Sequence, residues 1–335
     1  MMGLAGAKRS KCPRVLSPFE IAGERFNDDI VNNPLLVAWY DFSDNSNAFS
    51  IESGFVDLVE DGERIGLMYN ACWRPLGGTA TQTAALGSHI LAPSFTWAPY
   101  WTAPTDTERG YVTFDGTGNA LFGGATTGTA TGIVSSTSIP MNDLAIVAVV
   151  KKDISTSSTM TLFTLYPKSG TQTLNWSYNS SHVLEFQGID VFAGIPIEKI
   201  THPDADDGEF HYHYINCLPS FAANTNHGIM GSDGLWYGGG VYSTVDTSAT
   251  QTSTMEFDNV SSNIFYGIGC KKGPASAGTS PSSFDLFKGR IYEIMVFRKS
   301  LSGGFEGMDS EFDRDTWKHV LHYLRRKYGY IRNIN

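Results

Sequence analysis

The stretch FKGRIYEIMVF, Phe287–Phe297, decides the fold of this chain together with the later segment WKHVLHYLRRKYGYI, Trp317–Ile331. The first stretch is mostly apolar and rich in aromatic and β-branched residues, which predicts a strand. The second repeats apolar residues at i, i+3, i+4, i+7 and i+11, which predicts one amphipathic helix over about Asp313 to Tyr328. The chain is therefore expected to close with a strand followed by a helix.

The ends of this helix carry the charges that a helix dipole favours. Acidic residues lie near its start and three basic residues near its end, and Gly329 is a natural stop. Either Ser310 or Asp313 is the N-cap. The apolar stripe that should face the protein core consists of Trp317, Val320, Leu321, Leu324 and Tyr328.

The rest of the chain has the composition of an all-β protein. Its 335 residues include 35 glycines, and only 17% of them are charged, which fits many strands joined by turns. Short apolar runs bounded by Gly, Ser and Thr recur along it and predict the strands of a sandwich or barrel. The stretch DGTGN, Asp115–Asn119, predicts a hairpin turn between two of these strands. We divide the chain into an N-terminal arm, residues 1–34, and one domain, residues 35–335.

Five segments together resemble the concanavalin A-like, laminin-G-type jelly-roll domains that are common in phage structural proteins. They are LLVAWYDFSD, Leu35–Asp44; RGYVTFDGTGNALF, Arg109–Phe122; LAIVAVVKK, Leu144–Lys152; GRIYEIMVFRKSLS, Gly289–Ser302; and the C-terminal WKHVLHYLRRKYGYI. The resemblance implies a two-sheet antiparallel jelly-roll sandwich with one C-terminal helix. The insertion GGFEGMDSEF, Gly303–Phe312, departs from the pattern, so the docking of the helix needs a structure.

Charge and hydropathy exclude several classes of function. The net charge of −10 disfavours nucleic-acid binding, which needs a basic face. No apolar run is long enough for a transmembrane helix or a signal-peptide core, so we expect synthesis in a cytosol and no membrane insertion. The four cysteines have no CxxC spacing that would indicate zinc or thiol redox chemistry.

Two patterns raise the question of a metal ion. His211 and His213 alternate on one face of the predicted strand EFHYHYIN, and both a metal pair and an ordinary strand fit that spacing. The acidic loop that precedes them, with Asp204, Asp206 and Asp207, fits either a solvated turn or a calcium site. We predict a structural strand and no cofactor, with calcium as the alternative.

Aromatic residues on predicted loops are the main candidates for a binding site. Trp and Tyr bury a large area at low entropic cost, so they suit a protein interface, a sugar ring or a fold-closing contact. The candidates are Trp97, Tyr100, Trp101, Trp236 and Tyr237.

The predicted function follows from the resemblance and from the lack of catalytic motifs. The closest matches to the ExDxxE pattern of β-glucanases begin at Glu256 and Glu311, and both lack the final acid. We therefore predict a non-enzymatic virion protein of a tailed phage: a capsid decoration or cement protein, a head fibre or a tail-associated component. It would be a homo-oligomer that docks on capsid or tail subunits through basic residues of its arm. The basic residues of the arm that would dock are Lys8, Arg9, Lys11 and Arg14. The alternative function is a carbohydrate-binding module for host-surface glycans.

Overall fold

The structure is a computed structural model that describes most of the domain after the arm. The described residues are 36–71, 90–123, 125–126, 129–130, 144–155, 158–167, 172–181, 184–190, 195–202, 208–217, 228–232, 235–237, 264–271, 285–297 and 311–328. They form 19 strands and one α-helix, with a short 3-10 turn at Phe95–Trp97.

Eight strands form the first sheet, and every pairing in it is antiparallel. Its order is β17-β16-β15-β10-β19-β6-β5, and β1 also pairs with β19. The strands are β1 (Leu36–Asp41), β5 (Tyr100–Thr102), β6 (Tyr111–Asp115), β10 (Leu144–Lys152), β15 (Phe210–Cys217), β16 (Gly228–Ser232), β17 (Leu235–Tyr237) and β19 (Lys288–Phe297). The stretch FKGRIYEIMVF thus supplies the central strand β19, which pairs with β10 along one side and with β1 and β6 along the other.

Nine strands form the second sheet, which is also antiparallel throughout. Its order is β14-β13-β12-β11-β18-β7-β4-β3-β2. The strands are β2 (Ala48–Ser50), β3 (Ile65–Met68), β4 (Ile90–Leu91), β7 (Leu121–Gly123), β11 (Met160–Pro167), β12 (Gln172–Tyr178), β13 (Leu184–Asp190), β14 (Ile195–His202) and β18 (Ile264–Ile268). Two short strands, β8 (Ala125–Thr126) and β9 (Thr129–Ala130), pair only with each other.

The side chains of β10 show how the layers are arranged. Ile146, Ala148 and Val150 belong to the apolar core between the two sheets, whereas Val147 and Val149 point to the other face. That outer face is covered by the helix α1, Glu311–Tyr328, through Val320, Tyr323 and Leu324. The molecule is therefore a three-layered structure, with the helix on the outside of the eight-stranded sheet. This confirms the predicted two-sheet jelly-roll sandwich with a C-terminal helix.

The helix docks on a slightly different stripe from the predicted one. Val320 and Leu324 are buried as expected, but so is Tyr323, whose ring meets that of Trp39 edge-on at 5.6 Å between centroids. Leu321 is only partly buried, and the side chain of Trp317 lies outside the described residues. Packing in the apolar cluster beneath the helix buries the Tyr323 ring, and a hydrogen bond from Lys327 (2.6 Å) satisfies its hydroxyl.

The predicted hairpin at DGTGN is wrong, because β6 and β7 lie in opposite sheets. The turn is a crossover from one sheet to the other, fixed by polar side chains. The Asp115 carboxylate accepts hydrogen bonds from the amides of Thr117 (2.7 Å) and Gly118 (3.0 Å). The Asn119 side chain accepts the amide of Asp115 (2.8 Å) and donates to the carbonyl of Ala98 (3.1 Å). These bonds give the strands their separate directions.

Candidate functional site

The first candidate site lies where the chain passes from one sheet to the other at the end of the sandwich. Residues 62–65 run beside residues 99–101 and are joined to them by backbone hydrogen bonds. The amide of Trp101 donates to the carbonyl oxygen of Glu63 (2.8 Å), and the amide of Ile65 donates to the carbonyl oxygen of Pro99 (2.9 Å). The 3-10 turn Phe95–Trp97 comes immediately before. Two aromatic side chains from this region, Phe95 and Tyr100, are therefore brought to the same place as Arg64.

Arg64 is held by both aromatic residues. Its guanidinium carbon lies 4.3 Å from the ring centroid of Phe95 and 4.6 Å from that of Tyr100, within the range of a cation–π contact. Nη1 donates to the carbonyl oxygen of Phe95 (2.7 Å), and Nη2 donates to the hydroxyl of Tyr100. We call these three residues the Arg64 platform.

The platform is held together by these contacts and is accessible to solvent. Phe95 is 49% exposed and Tyr100 is 40% exposed, although each is fixed by Arg64. The hydroxyls of Ser94 and Thr96, on either side of Phe95, lie 3.0 Å apart and are exposed. Apolar ring surface next to hydroxyl groups and spare guanidinium N–H donors suits a ligand with both C–H faces and hydroxyls.

The carboxylates around the platform are already occupied by hydrogen bonds within the chain. Glu52 accepts the hydroxyl of Ser50 (3.0 Å) and the amide of Arg64 (3.3 Å). Asp61 accepts the amide of Ala103 (2.8 Å), and Glu63 accepts the amide of Glu60 (2.8 Å). Within the described part of the chain, no carboxylate forms an ion pair with Arg64.

Of the aromatic candidates from the sequence, Tyr100 is in the platform and Trp101 is not. Trp101 is only 3% exposed, and its indole N–H donates to the carbonyl of Phe42 (3.0 Å) in the sandwich core. The structure corrects that candidate, since strand alternation in β5 turns Trp101 inward when Tyr100 faces out. Trp97 is half-buried against a small cluster with Phe122 and Cys270.

The sequence identified neither Arg64 nor Phe95 as a site residue. Phe95 belongs to the aromatic run FTWAPYW, Phe95–Trp101, so the run itself was the available signal. Arg64 lies 31 and 36 positions from its partners, and no local pattern marks that contact. The other aromatic candidates, Trp236 and Tyr237, lie on β17, and their side chains are outside the described residues.

The two histidines of EFHYHYIN face the opposite sheet. His213 is fully buried and His211 is 4% exposed, and their rings stack with centroids 5.3 Å apart. Nε2 of His213 is 2.9 Å from the hydroxyl of Tyr178 on β12. Tyr212 and Tyr214 point the other way, beneath the helix. The histidines therefore belong to a strand with both faces buried, as a structural strand requires. The acidic loop with Asp204, Asp206 and Asp207 lies outside the described residues.

A second group of ionisable residues lies beneath the helix, where Glu293 is fully buried and Lys327 and Asp41 are mostly buried. Lys327 Nζ donates to the carboxylates of Asp41 (2.5 Å) and Glu293 (3.0 Å), and Glu293 also accepts the indole N–H of Trp39 (2.6 Å) and the hydroxyl of Tyr328 (2.6 Å). Burial raises the pKa of Glu293, although the Lys327 charge opposes the shift. Burial also acts to lower the pKa of Lys327, but the carboxylates of Glu293 and Asp41 outweigh it and the pKa is raised. Every member has a partner, so we assign this group to helix docking.

No family model matches the chain, and no curated protein matches it. Solved structures similar to it include the NanB sialidase from Streptococcus pneumoniae, with 18% identity and a TM-score of 0.35 over 48% of this chain and 23% of that chain. A sialidase from Trypanosoma rangeli in complex with sialic acid has 10% identity and a TM-score of 0.44 over 92% of this chain and 39% of that chain. The SAP-like pentraxin from Limulus polyphemus has 11% identity and a TM-score of 0.38 over 62% and 79%.

The aligned region spans less than two fifths of either sialidase chain. The fold of this chain rests on its own strand order and pairing, since every one of these TM-scores is below 0.5. None of these likenesses bears on the virion role, its partners or its location, which stay predictions. The same holds for arm docking, because Lys8, Arg9, Lys11 and Arg14 lie outside the described residues. The described helix is too charged to span a bilayer.

Proposed function

We propose that the protein is a non-catalytic carbohydrate-binding module and that the Arg64 platform is its sugar-binding surface. The observation that carries this proposal is the pair of exposed aromatic side chains, Phe95 and Tyr100, both of which contact the guanidinium group of Arg64. Rings that are held in place before binding lose little conformational entropy when a ligand stacks on them.

The chemistry around the platform favours a neutral sugar. Ring surface can contact the C–H groups of a pyranose or furanose, while the hydroxyls of Ser94 and Thr96 and the free N–H groups of Arg64 can bond its hydroxyls. Two acids adjoin Arg64, since Glu63 precedes it in the chain and Glu52 accepts its amide. This local negative charge disfavours a sulfated or carboxylated glycan within a Debye length of about 8 Å.

The absence of catalysis is part of the proposal. A glycosidase needs two carboxylates that are free to exchange protons or attack across the scissile bond. The acids nearest the platform, Glu52, Asp61 and Glu63, accept backbone amides of the chain. The incomplete ExDxxE match that begins at Glu256 lies outside the described residues.

Affinity electrophoresis against a panel of neutral polysaccharides tests the binding surface. Phe95→Ala and Tyr100→Ala should each weaken the affinity at least tenfold, which corresponds to about 1.4 kcal/mol. Tyr69→Ala is the matched control, because Tyr69 is 37% exposed but packs on Phe49 instead (4.8 Å between centroids). Its affinity should equal that of the unchanged protein.

Sugar binding at the platform is rejected if the unchanged protein binds no member of the panel, or if both platform variants bind as well as it does. The non-catalytic part alone is rejected if the unchanged protein releases reducing ends from a bound polysaccharide during prolonged incubation.

A further inference from the structure

The strand β2 is the last strand of the nine-stranded sheet, but a further extended segment pairs with its outer side. Residues 57–59 pair with β2 through two backbone hydrogen bonds. The amide of Ser50 donates to the carbonyl oxygen of Asp57 (3.0 Å), and the amide of Val59 donates to the carbonyl oxygen of Ala48 (3.0 Å). Leu58 lies between Asp57 and Val59, and in this antiparallel arrangement its backbone N–H and C=O point away from β2. The N–H and C=O of Leu58 accordingly make no hydrogen bond among the described residues. We call residues 56–61 the edge segment.

The edge segment is fixed to the body of the domain. Phe55 has a positive φ of 69°, and its ring covers Gly66 so closely that a Cβ there would lie 2.3 Å from the ring. The Ser53 hydroxyl donates to the carbonyl of Ser50 (3.1 Å) and accepts the amide of Asp57 (3.0 Å). An added strand would therefore meet a backbone that is already in place.

The side chains of the edge segment are apolar and acidic. Val56 is 76% exposed and Leu58 is 43% exposed, the first being the largest exposed fraction among the apolar side chains in the described regions. Asp57, Glu60 and Asp61 beside them are exposed as well. In the described part of the chain, no Lys, Arg or His forms an ion pair with any of these three carboxylates. An exposed edge with such side chains is suited to an extended basic segment.

The chain itself contains a segment of that chemistry. Residues 1–16 carry Lys8, Arg9, Lys11 and Arg14 and no acid, together with several small and apolar residues. The edge segment has the opposite charge, with Asp57, Glu60 and Asp61 and no base. The 21 residues between Arg14 and Leu36 can extend over about 70 Å at about 3.3 Å per residue, which gives the basic residues of the arm a long reach from Leu36.

We propose that the edge segment is the docking site for the N-terminal arm of this chain. Residues 8–12 add as a strand beside Leu58, which exchanges both of its free backbone groups with the arm. The bases of the arm then lie against Asp57, Glu60 and Asp61, and Pro13, which has no N–H, ends the pairing. The docking site contains none of the three platform residues, and its occupation does not depend on carbohydrate binding.

Zero-length carbodiimide coupling of the full-length chain, followed by peptide mass spectrometry, tests the docking. The reagent joins a lysine only to a carboxylate that it touches, so Lys8 or Lys11 should be joined to Asp57, Glu60 or Asp61. An equal mixture of ordinary and ¹⁵N-labelled protein separates coupling within one copy from coupling between copies. Either result supports the site, whereas coupling of the arm to acids spread over the whole surface would overturn it.

Two variants make the test specific. Leu58→Pro removes the outward N–H of residue 58 without removing a described hydrogen bond, and it should lower the coupling yield at least fivefold. Leu58→Ala keeps this N–H and should lower the coupling yield less. Arg9→Gln with Arg14→Gln leaves both lysines and the folded domain unchanged and should also lower the yield at least threefold. Glu209→Gln is the control, because it removes an exposed acid outside the edge segment and should leave the coupling yield unchanged. An unchanged yield in the double arginine variant would reject the proposal even if Leu58→Pro failed to fold.

A competing occupant gives a different pattern. If the edge segment pairs with the edge segment of a second copy, Leu58→Pro would lower the fraction of dimer in light scattering, while the double arginine variant would leave that fraction and the coupling yield unchanged. That pattern would overturn docking of the arm.

Discussion

At the residue scale, Lys327 joins three parts of the chain that are distant in sequence. Its ammonium group binds Asp41 on β1 and Glu293 on β19 from the last turn of α1. A buried ion pair adds little net stability compared with apolar residues, but removing one partner leaves a charge without compensation. The lysine of YLRRKYG is thus explained by the two carboxylates it neutralises.

Substitution of Lys327 should therefore be costly. Lys327→Met leaves the carboxylates of Glu293 and Asp41 beneath the helix without their cation, and we expect the free energy of unfolding to fall by about 3–5 kcal/mol. Urea unfolding monitored by tryptophan fluorescence measures this loss. Arg326→Met is the matched control, because Arg326 makes no described ion pair, and it should change stability by no more than about 0.5 kcal/mol. Equal losses in the two variants would contradict the role of the pair.

The Arg64 platform shows which residue contacts a sequence can predict. The aromatic run that ends at Trp101 was recognisable as a candidate, but its residues divide between surface and core by strand alternation. Tyr100 faces outward and Trp101 faces the core, so the two could be assigned only after the strand was placed. Arg64 reaches the platform through the pairing of residues 62–65 with residues 99–101, which is a tertiary contact.

At the element scale, long periodic segments were predictable and short ones were not. The helix begins at Glu311, two residues before the predicted start, and ends at Tyr328 as predicted. The strands β10, β15 and β19 match the predicted runs LAIVAVVKK, EFHYHYIN and FKGRIYEIMVF closely, because each is a sustained apolar or alternating stretch. The strand β14, IPIEKITH, has no comparable signal, since Pro, Glu and Lys interrupt its pattern. The turn DGTGN has the residues of a hairpin, but no local signal tells a hairpin from a crossover between sheets.

The crossover gives a prediction about pH. Burial acts to raise the pKa of Asp115, but hydrogen bonds from the amides of Thr117 and Gly118 outweigh it, so the pKa is lowered from its ordinary value of 3.8. A lowered folded-state pKa means that ionised Asp115 stabilises the fold above pH 3.8, and that this contribution is lost as the pH falls through the folded-state pKa.

Asp115→Asn should remove that dependence. The difference in free energy of unfolding between the unchanged protein and Asp115→Asn should be largest near neutral pH and should shrink as the pH falls below 3.8. Chemical unfolding at a series of pH values measures it. Asp106→Asn, which removes an exposed acid with no described hydrogen bond from its side chain, controls for the loss of one surface charge. A difference that stays constant from neutral to acid pH would contradict the assigned hydrogen bonds.

At the scale of the whole molecule, the two proposed sites differ in the kind of force that drives binding. The Arg64 platform would bind a neutral sugar through ring contacts and hydrogen bonds, neither of which depends strongly on ionic strength. The edge segment would bind the arm partly through charge, because it has three exposed acids and the arm carries four bases. Both sites lie on a chain whose net charge is −10, so the arm is the main basic segment that this negative surface can attract.

Salt should therefore separate the two sites in one preparation. Raising the salt concentration from about 0.05 M to about 0.5 M shortens the Debye length from roughly 14 Å to roughly 4 Å. We expect the coupling yield between the arm lysines and the edge segment to fall severalfold over this range, while the affinity for a neutral polysaccharide changes by less than about twofold. Carbodiimide coupling and affinity electrophoresis, each run on the unchanged protein at both salt concentrations, measure the two effects. A sugar affinity that fell with salt as steeply as the coupling yield would mean that the ligand is charged and that the platform recognises it through Arg64, against the neutral sugar proposed above.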